Sequence, residues 1–107
     1  MSLPRAVLVT GANSGIGYET VKALLESTRP YHILVGSRSA EKGDLAIKNL
    51  QQECPQASNT VELLQVDLTS DVSIQKAFEQ VSVSPGRLDV LINNAGMCLA
   101  PSSTALY

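Results

Sequence analysis

The stretch Ala6-Val7-Leu8-Val9-Thr10-Gly11-Ala12-Asn13-Ser14-Gly15-Ile16-Gly17 decides the fold. Ala6 to Val9, bounded by Pro4 and the glycine loop, read as a short buried strand. Beyond the loop, Val21, Leu24 and Leu25 lie on one stripe of a helix predicted from about Ile16 to Glu26, which Arg29-Pro30 ends. A phosphate chain needs close backbone approach, free N–H donors and the positive end of a helix dipole. Gly11-x-x-x-Gly15-x-Gly17 between a strand and a helix offers all three. Side chains at these positions would obstruct that approach or the packing of helix on strand. Many turns are rich in glycine. It is the place of this one, opening the first helix of a βαβ unit, that favours a dinucleotide over a mere tight turn. A P-loop is excluded, because no Gly-Lys-Ser/Thr closes the loop.

The same alternation runs on along the chain. Ile33-Leu34-Val35 is the next strand, closed by Gly36, and Ser39 can N-cap a helix to about Glu53 with Leu45, Ile47 and Leu50 as candidate buried residues. Pro55 and the polar residues Gln56 to Asn59 turn the chain into a third strand, Val61 to Val66, which ends at Asp67. Ser70 can cap a helix in which Val72, Ala77, Phe78 and Val81 are candidate inward residues, and Ser84-Pro85-Gly86 breaks it. A fourth strand, Leu88 to Ile92, runs into Asn93-Asn94-Ala95-Gly96. The order is β-α-β-α-β-α-β, the pattern of an α/β protein with a parallel sheet between helices. Right-handed crossovers favour a doubly wound, Rossmann-type sheet with strand order 3-2-1-4, here a partial one. No repeat or linker divides the chain. Residues 1–96 read as one nucleotide-binding half-domain and 97–107 as an irregular tail.

Composition narrows the function classes. The chain has 107 residues, 44% hydrophobic and 17% charged, which is the make-up of one small globular domain. Eight basic and ten acidic residues give a net charge of −2, and the basic ones are scattered. A nucleic-acid surface needs them clustered, so that class is set aside. Cys54 and Cys98 lie far apart and form no metal-spaced pair, which suits two reduced thiols. Neither a secretory signal nor an apolar run of membrane-spanning length is present, so the expectation is a soluble, cytoplasmic protein.

The end of the second strand carries the choice of cofactor. An acid there would grip the adenosine ribose hydroxyls, as sites for NAD(H) usually do. This chain has Gly36-Ser37-Arg38 instead. No carboxylate repels a 2′-phosphate, and the guanidinium of Arg38 offers a planar fork to bind one. The cofactor expected is therefore NADP(H) before NAD(H). Ser37 is a lesser phosphate partner or simply a turn residue.

With these residues in view, the chain resembles the short-chain dehydrogenase/reductase family. Four blocks in the right order carry the resemblance: Thr10 to Gly17, Gly36-Ser37-Arg38, Val66-Asp67-Leu68, and Leu88 to Gly96. The resemblance implies cofactor contacts at Gly11, Ser14, Gly15, Ile16, Gly17, Ser37, Arg38, Asp67, Leu68, Asn94, Ala95 and Gly96. Ser14 and Ile16 would meet the phosphates, Asp67 and the backbone of Leu68 the adenine edge. Asn94 and Ala95 would lie along the nicotinamide ribose, with Gly96 keeping the backbone close. Asp67 also suits the start of a local turn, and the Asn pair suits the tying of buried backbone. The family's activity is hydride transfer between the nicotinamide and a carbonyl or alcohol.

The family's catalytic serine and its tyrosine-x-x-x-lysine pair lie beyond the fourth strand. The expectation is thus a cofactor-binding half, with catalytic residues absent from this chain. Tyr18 and Lys22 repeat the tyrosine–lysine spacing, but in the first helix beside the phosphate loop, where an exposed amphipathic pair is the better reading. His32 reads as a plain strand-end residue, and Ser102 and Ser103 have no assignable role. The fourth strand would form an uncovered edge, a route to self-association. The alternatives are a non-catalytic nucleotide-binding or interaction module and a non-functional truncated product.

Overall fold

The computed structural model describes residues 4–13 and 15–94. Along the chain come β1 (Arg5–Thr10), α1 (Gly15–Glu26), β2 (Tyr31–Ser37), α2 (Ala40–Glu53), β3 (Thr60–Gln65), α3 (Asp71–Val83) and β4 (Val90–Ile92). Two helices start where a serine hydroxyl replaces the missing intrahelical acceptor. Ser39 Oγ accepts from the Lys42 N–H and Ser70 Oγ from the Ser73 N–H, each at 3.2 Å. Glu41 and Asp71 then sit in the two first turns, where negative charge meets the positive end of the dipole.

The sheet is parallel throughout, in the order β3-β2-β1-β4. This is the doubly wound arrangement expected from the sequence. Residues of alternate parity face opposite layers. Val7, Val9, Ile33 and Val35 meet Val21 and Leu25 of α1 and Leu50 of α2 on one face. On the other face Leu34, Leu64 and Val66 meet Ala77 and Val81 of α3. Burying a side chain such as Ile33 or Leu34 contributes about 2 kcal/mol before entropy is charged against it.

The helices turn differently from three of the expectations. Leu45, Val72 and Phe78 are 59%, 65% and 71% exposed. The buried line of α2 is Gly43, Ala46 and Leu50, at three- and four-residue spacing, and Leu45 falls about 100° off it. In α3 the buried line is Ala77 and Val81, which turns the neighbouring Phe78 outward. Ile47 is half-buried against the core, as is Leu24 of α1. The fourth strand is shorter than its apolar run, because Leu88 and Asp89 precede the ladder with β1.

Two side chains fasten the amino-terminal ends of the strands, away from the glycine loop. Asn59 donates to the carbonyls of Leu24, Ser27 and Arg29 and accepts from the Tyr31 N–H, which holds the α1–β2 turn. Asp89 Oδ2 accepts from the Ala6 N–H at 2.8 Å and from Arg87 Nε at 3.0 Å. Nearby, the His32 ring bridges Thr60 Oγ1 (2.6 Å) and Glu62 Oε1 (3.0 Å) across the β2–β3 pair, a more specific place than a plain strand end. No helix among the described residues is long and apolar enough to cross a membrane.

Candidate functional site

Because all four strands run the same way, their carboxyl ends form one edge. Backbone and side-chain bonds stitch that edge from strand to strand. The Ala12 N–H donates to the Gly36 carbonyl at 3.1 Å, and the Val66 N–H to the Ser37 carbonyl at 2.9 Å. At the other side Thr10 Oγ1 donates to Asn93 Oδ1 and accepts from the Asn94 N–H. The strand order reverses between β1 and β4, and in such sheets the crevice at that reversal is where ligands sit.

The glycine loop lies at this crevice. Gly11 and Gly15 have φ of +62° and +64°, the left-handed region that side chains disfavour. Gly17 is excluded from carrying a side chain for another reason. A Cβ there would collide with the Gly11 carbonyl oxygen and stand 2.8 Å from Asn94 Nδ2 and 3.0 Å from Ala12 Cα. The loop is thus folded tightly back against the start of α1. Beside Gly15, by contrast, a Cβ would meet nothing within 4 Å, so this backbone faces open space. The first turn of α1 carries no acidic side chain, and its N–H groups have no acceptor within the helix. A closed loop under an open, electropositive helix end fits the diphosphate of a dinucleotide. Ile16 stands 72% exposed in that first turn. Ser14, Ala95 and Gly96 lie outside the described residues.

The other side of the edge is built from the ends of β2 and β3. Ser37 is buried and donates its hydroxyl proton to the Ser39 carbonyl at 2.9 Å. Arg38 is exposed, and Gln65 Nε2 donates to its carbonyl at 3.2 Å. Asp67 Oδ1 accepts from both the hydroxyl and the backbone N–H of Thr69, at 2.7 and 3.0 Å. These bonds, with the nearby Arg38 charge, hold the Asp67 carboxyl below its usual range. The Asp67 backbone is fixed as well, its N–H donating to Ser73 Oγ at 2.8 Å. Leu68 follows, 44% exposed. Of the expected residues, the structure places Gly11, Gly15, Ile16, Gly17, Ser37, Arg38, Asp67, Leu68 and Asn94 along this one edge.

Two contributors to the edge were not singled out from sequence: Thr10 as a hub for the Asn pair, and Gln65. For Thr10 the signal was present, a lone hydroxyl ending an apolar strand. Its partners lie over eighty residues away, so the pairing was not readable.

The Tyr18–Lys22 pair faces α2. Tyr18 donates to Glu53 Oε1 at 2.7 Å, and Lys22 Nζ lies 3.8 Å from the same oxygen. Burial, the Glu53 hydrogen bond and the Glu53 charge push the Tyr18 phenol up to about 12. A catalytic tyrosine needs the opposite shift. Among the described residues no group of three or more His, Cys, Asp or Glu side chains is placed to hold a metal.

The sequence pattern of the short chain dehydrogenases matches residues 5–106. The chain belongs to the short-chain dehydrogenase family. A relative in Talaromyces stipitatus, the short-chain dehydrogenase/reductase tropE, is 42% identical over 106 residues, which is 99% of this chain and 40% of that protein. The menthone neomenthol reductase of Mentha piperita superposes with a TM-score of 0.76 at 28% identity, covering 90% of this chain and 33% of that one. The NADPH-bound carbonyl reductase from chicken fatty liver gives 0.70 at 30% identity, over 90% of this chain and 38% of that one. This short-chain dehydrogenase chain therefore spans between a third and two-fifths of the lengths of these relatives.

Proposed function

We propose that the chain is the NADP(H)-holding portion of an oxidoreductase that moves a hydride between the nicotinamide and a carbonyl or alcohol. The observation that carries this reading is Arg38, exposed at the end of β2 where a ribose-gripping acid would stand in a site for NAD(H). An NADPH-bound carbonyl reductase among the structural neighbours supports it.

In this reading Gly11, Gly15 and Gly17 keep the loop closed, and the α1 N–H groups with Ser14 and Ile16 receive the diphosphate. Arg38 takes the 2′-phosphate. Ser37, whose proton is committed to Ser39, shapes the turn that presents it. Asp67, with one carboxylate oxygen on Thr69, keeps the other for the adenine amino group beside the Leu68 backbone. Asn94, Ala95 and Gly96 border the nicotinamide ribose. Once bound, the nicotinamide supplies or accepts the hydride. The proton donor is not Tyr18, whose phenol is held neutral against Glu53.

Calorimetric titration of the chain with NADPH and NADH tests the reading. NADPH should bind the more tightly, and Arg38→Ala should weaken NADPH more than NADH, by about 1–3 kcal/mol for a lost charge-assisted pair. Equal affinities in the parent chain would overturn the preference, and absence of any binding would overturn the function.

A further inference from the structure

The turn that carries Arg38 is fastened at three successive carbonyls. The Ser37 carbonyl accepts from the Val66 N–H at 2.9 Å. The Ser39 carbonyl accepts from the Ser37 hydroxyl at 2.9 Å and from the Gly43 N–H at 3.0 Å. These two anchors come from backbone and from within the turn. The carbonyl between them, that of Arg38 itself, is held by a side chain from another strand, Gln65 Nε2, at 3.2 Å. The parallel register makes this possible. Gln65 is the last residue of β3 and stands opposite Ser37, so its side chain reaches one residue further along the neighbouring strand. Gln65 is also solvent-exposed, and its side chain has no place in the packed core.

We infer that Gln65 is a positioning residue for Arg38: by holding the Arg38 carbonyl it fixes where the guanidinium stands and so sets discrimination for a 2′-phosphate. This rests on the reading of Arg38 given under the proposed function. A planar guanidinium binds a phosphate through paired, directional N–H bonds. The gain from the second bond depends on the arginine Cα keeping one place, because a turn that shifts carries the base of the side chain with it. A ligand without the 2′-phosphate makes no use of that placement. Loss of the Gln65 bond should therefore weaken NADPH and leave NADH alone.

The test is a double-mutant cycle on the full chain, read by titration with NADPH, NADH and 2′-AMP. Gln65→Met keeps the length of the side chain and removes the donor without adding charge. It should weaken NADPH and 2′-AMP roughly three- to tenfold, the range for one lost hydrogen bond, while NADH changes little. In an Arg38→Ala background the same substitution should have no further effect on NADPH. Gln65→Glu, which also lacks the donor and adds a charge near the phosphate, should lower NADPH affinity further. Equal weakening of NADPH and NADH, or a full additional loss in the Arg38→Ala background, would overturn the positioning role while leaving the NADP(H) reading intact. A parent chain that does not prefer NADPH would overturn both.

Discussion

Thr10 at the end of β1 donates its hydroxyl proton to Asn93 Oδ1 at 3.0 Å, across a separation of 83 residues in the chain. Thr10 Oγ1 in turn accepts the Asn94 N–H at 2.9 Å, so one buried hydroxyl serves both residues that leave β4. Thr10→Val keeps the shape and removes both bonds. The Asn94 N–H would then lose its acceptor, a cost of about 1–3 kcal/mol. Urea denaturation should show that loss, with weaker nucleotide binding beside it.

The two glycines of the loop should respond differently to alanine. Gly17→Ala forces a Cβ onto the Gly11 carbonyl and the Asn94 side chain, so loop and β4 end must separate. Nucleotide binding should fall by at least tenfold, roughly 1.4 kcal/mol. Gly15→Ala meets no neighbour and carries only its left-handed φ, at about 1–2 kcal/mol. Its stability should drop while part of the binding survives. Similar effects from both would show that space under the loop is not the constraint.

Tyr18 should ionise late. With its pKa raised to about 12, the protonated phenol contributes stability that is fully present below the ordinary value of 10.0 and is lost as pH rises through about 12. An ultraviolet phenolate titration should show this late step, and Tyr18→Phe should remove it. Nucleotide affinity at neutral pH should stay close to that of the parent, since Tyr18 faces Glu53.

Acid should loosen the opposite end of the sheet. The Ala6 N–H, the Arg87 side chain and the nearby charges hold the Asp89 carboxyl below its usual range. Its contribution is therefore present above the unfolded value, about 3.9, and is lost as pH falls through the lower folded value. Asp89→Asn should make the urea midpoint less sensitive to pH below 4, at some cost at pH 7. An unchanged pH profile would show that Asp89 does not link β4 to β1.

Much of this was legible in the sequence, and the reasons are physical. Apolar runs of strand length alternating with helical stripes give the element order, and handedness leaves few ways to wind it. The place of Arg38 was readable, one step past the end of an apolar strand. Leu45 and Phe78 were misread as inward because both are apolar, and only the tertiary fold shows which line of each helix meets the sheet. The partners of Asn59 and Thr10 were not readable for a related reason. Each acts on backbone that is remote in sequence, and a polar residue carries no mark of which distant carbonyl or N–H it will meet.

The short β4 has a consequence for the order of events in folding. β1 and β2 can pair after a crossover of about twenty residues, whereas β4 returns to β1 only across the whole chain. Closing so long a loop costs entropy that just three ladder residues and a few side-chain bonds recover. This favours late docking of β4, and the Asn94 N–H bond to Thr10 beside the glycine loop would form with it. A ligand that bridges the two would act as the closing clasp, adding about 2.7 kcal/mol at a hundredfold excess over its Kd. A nucleotide held there would belong to the folding equilibrium as well as to the site.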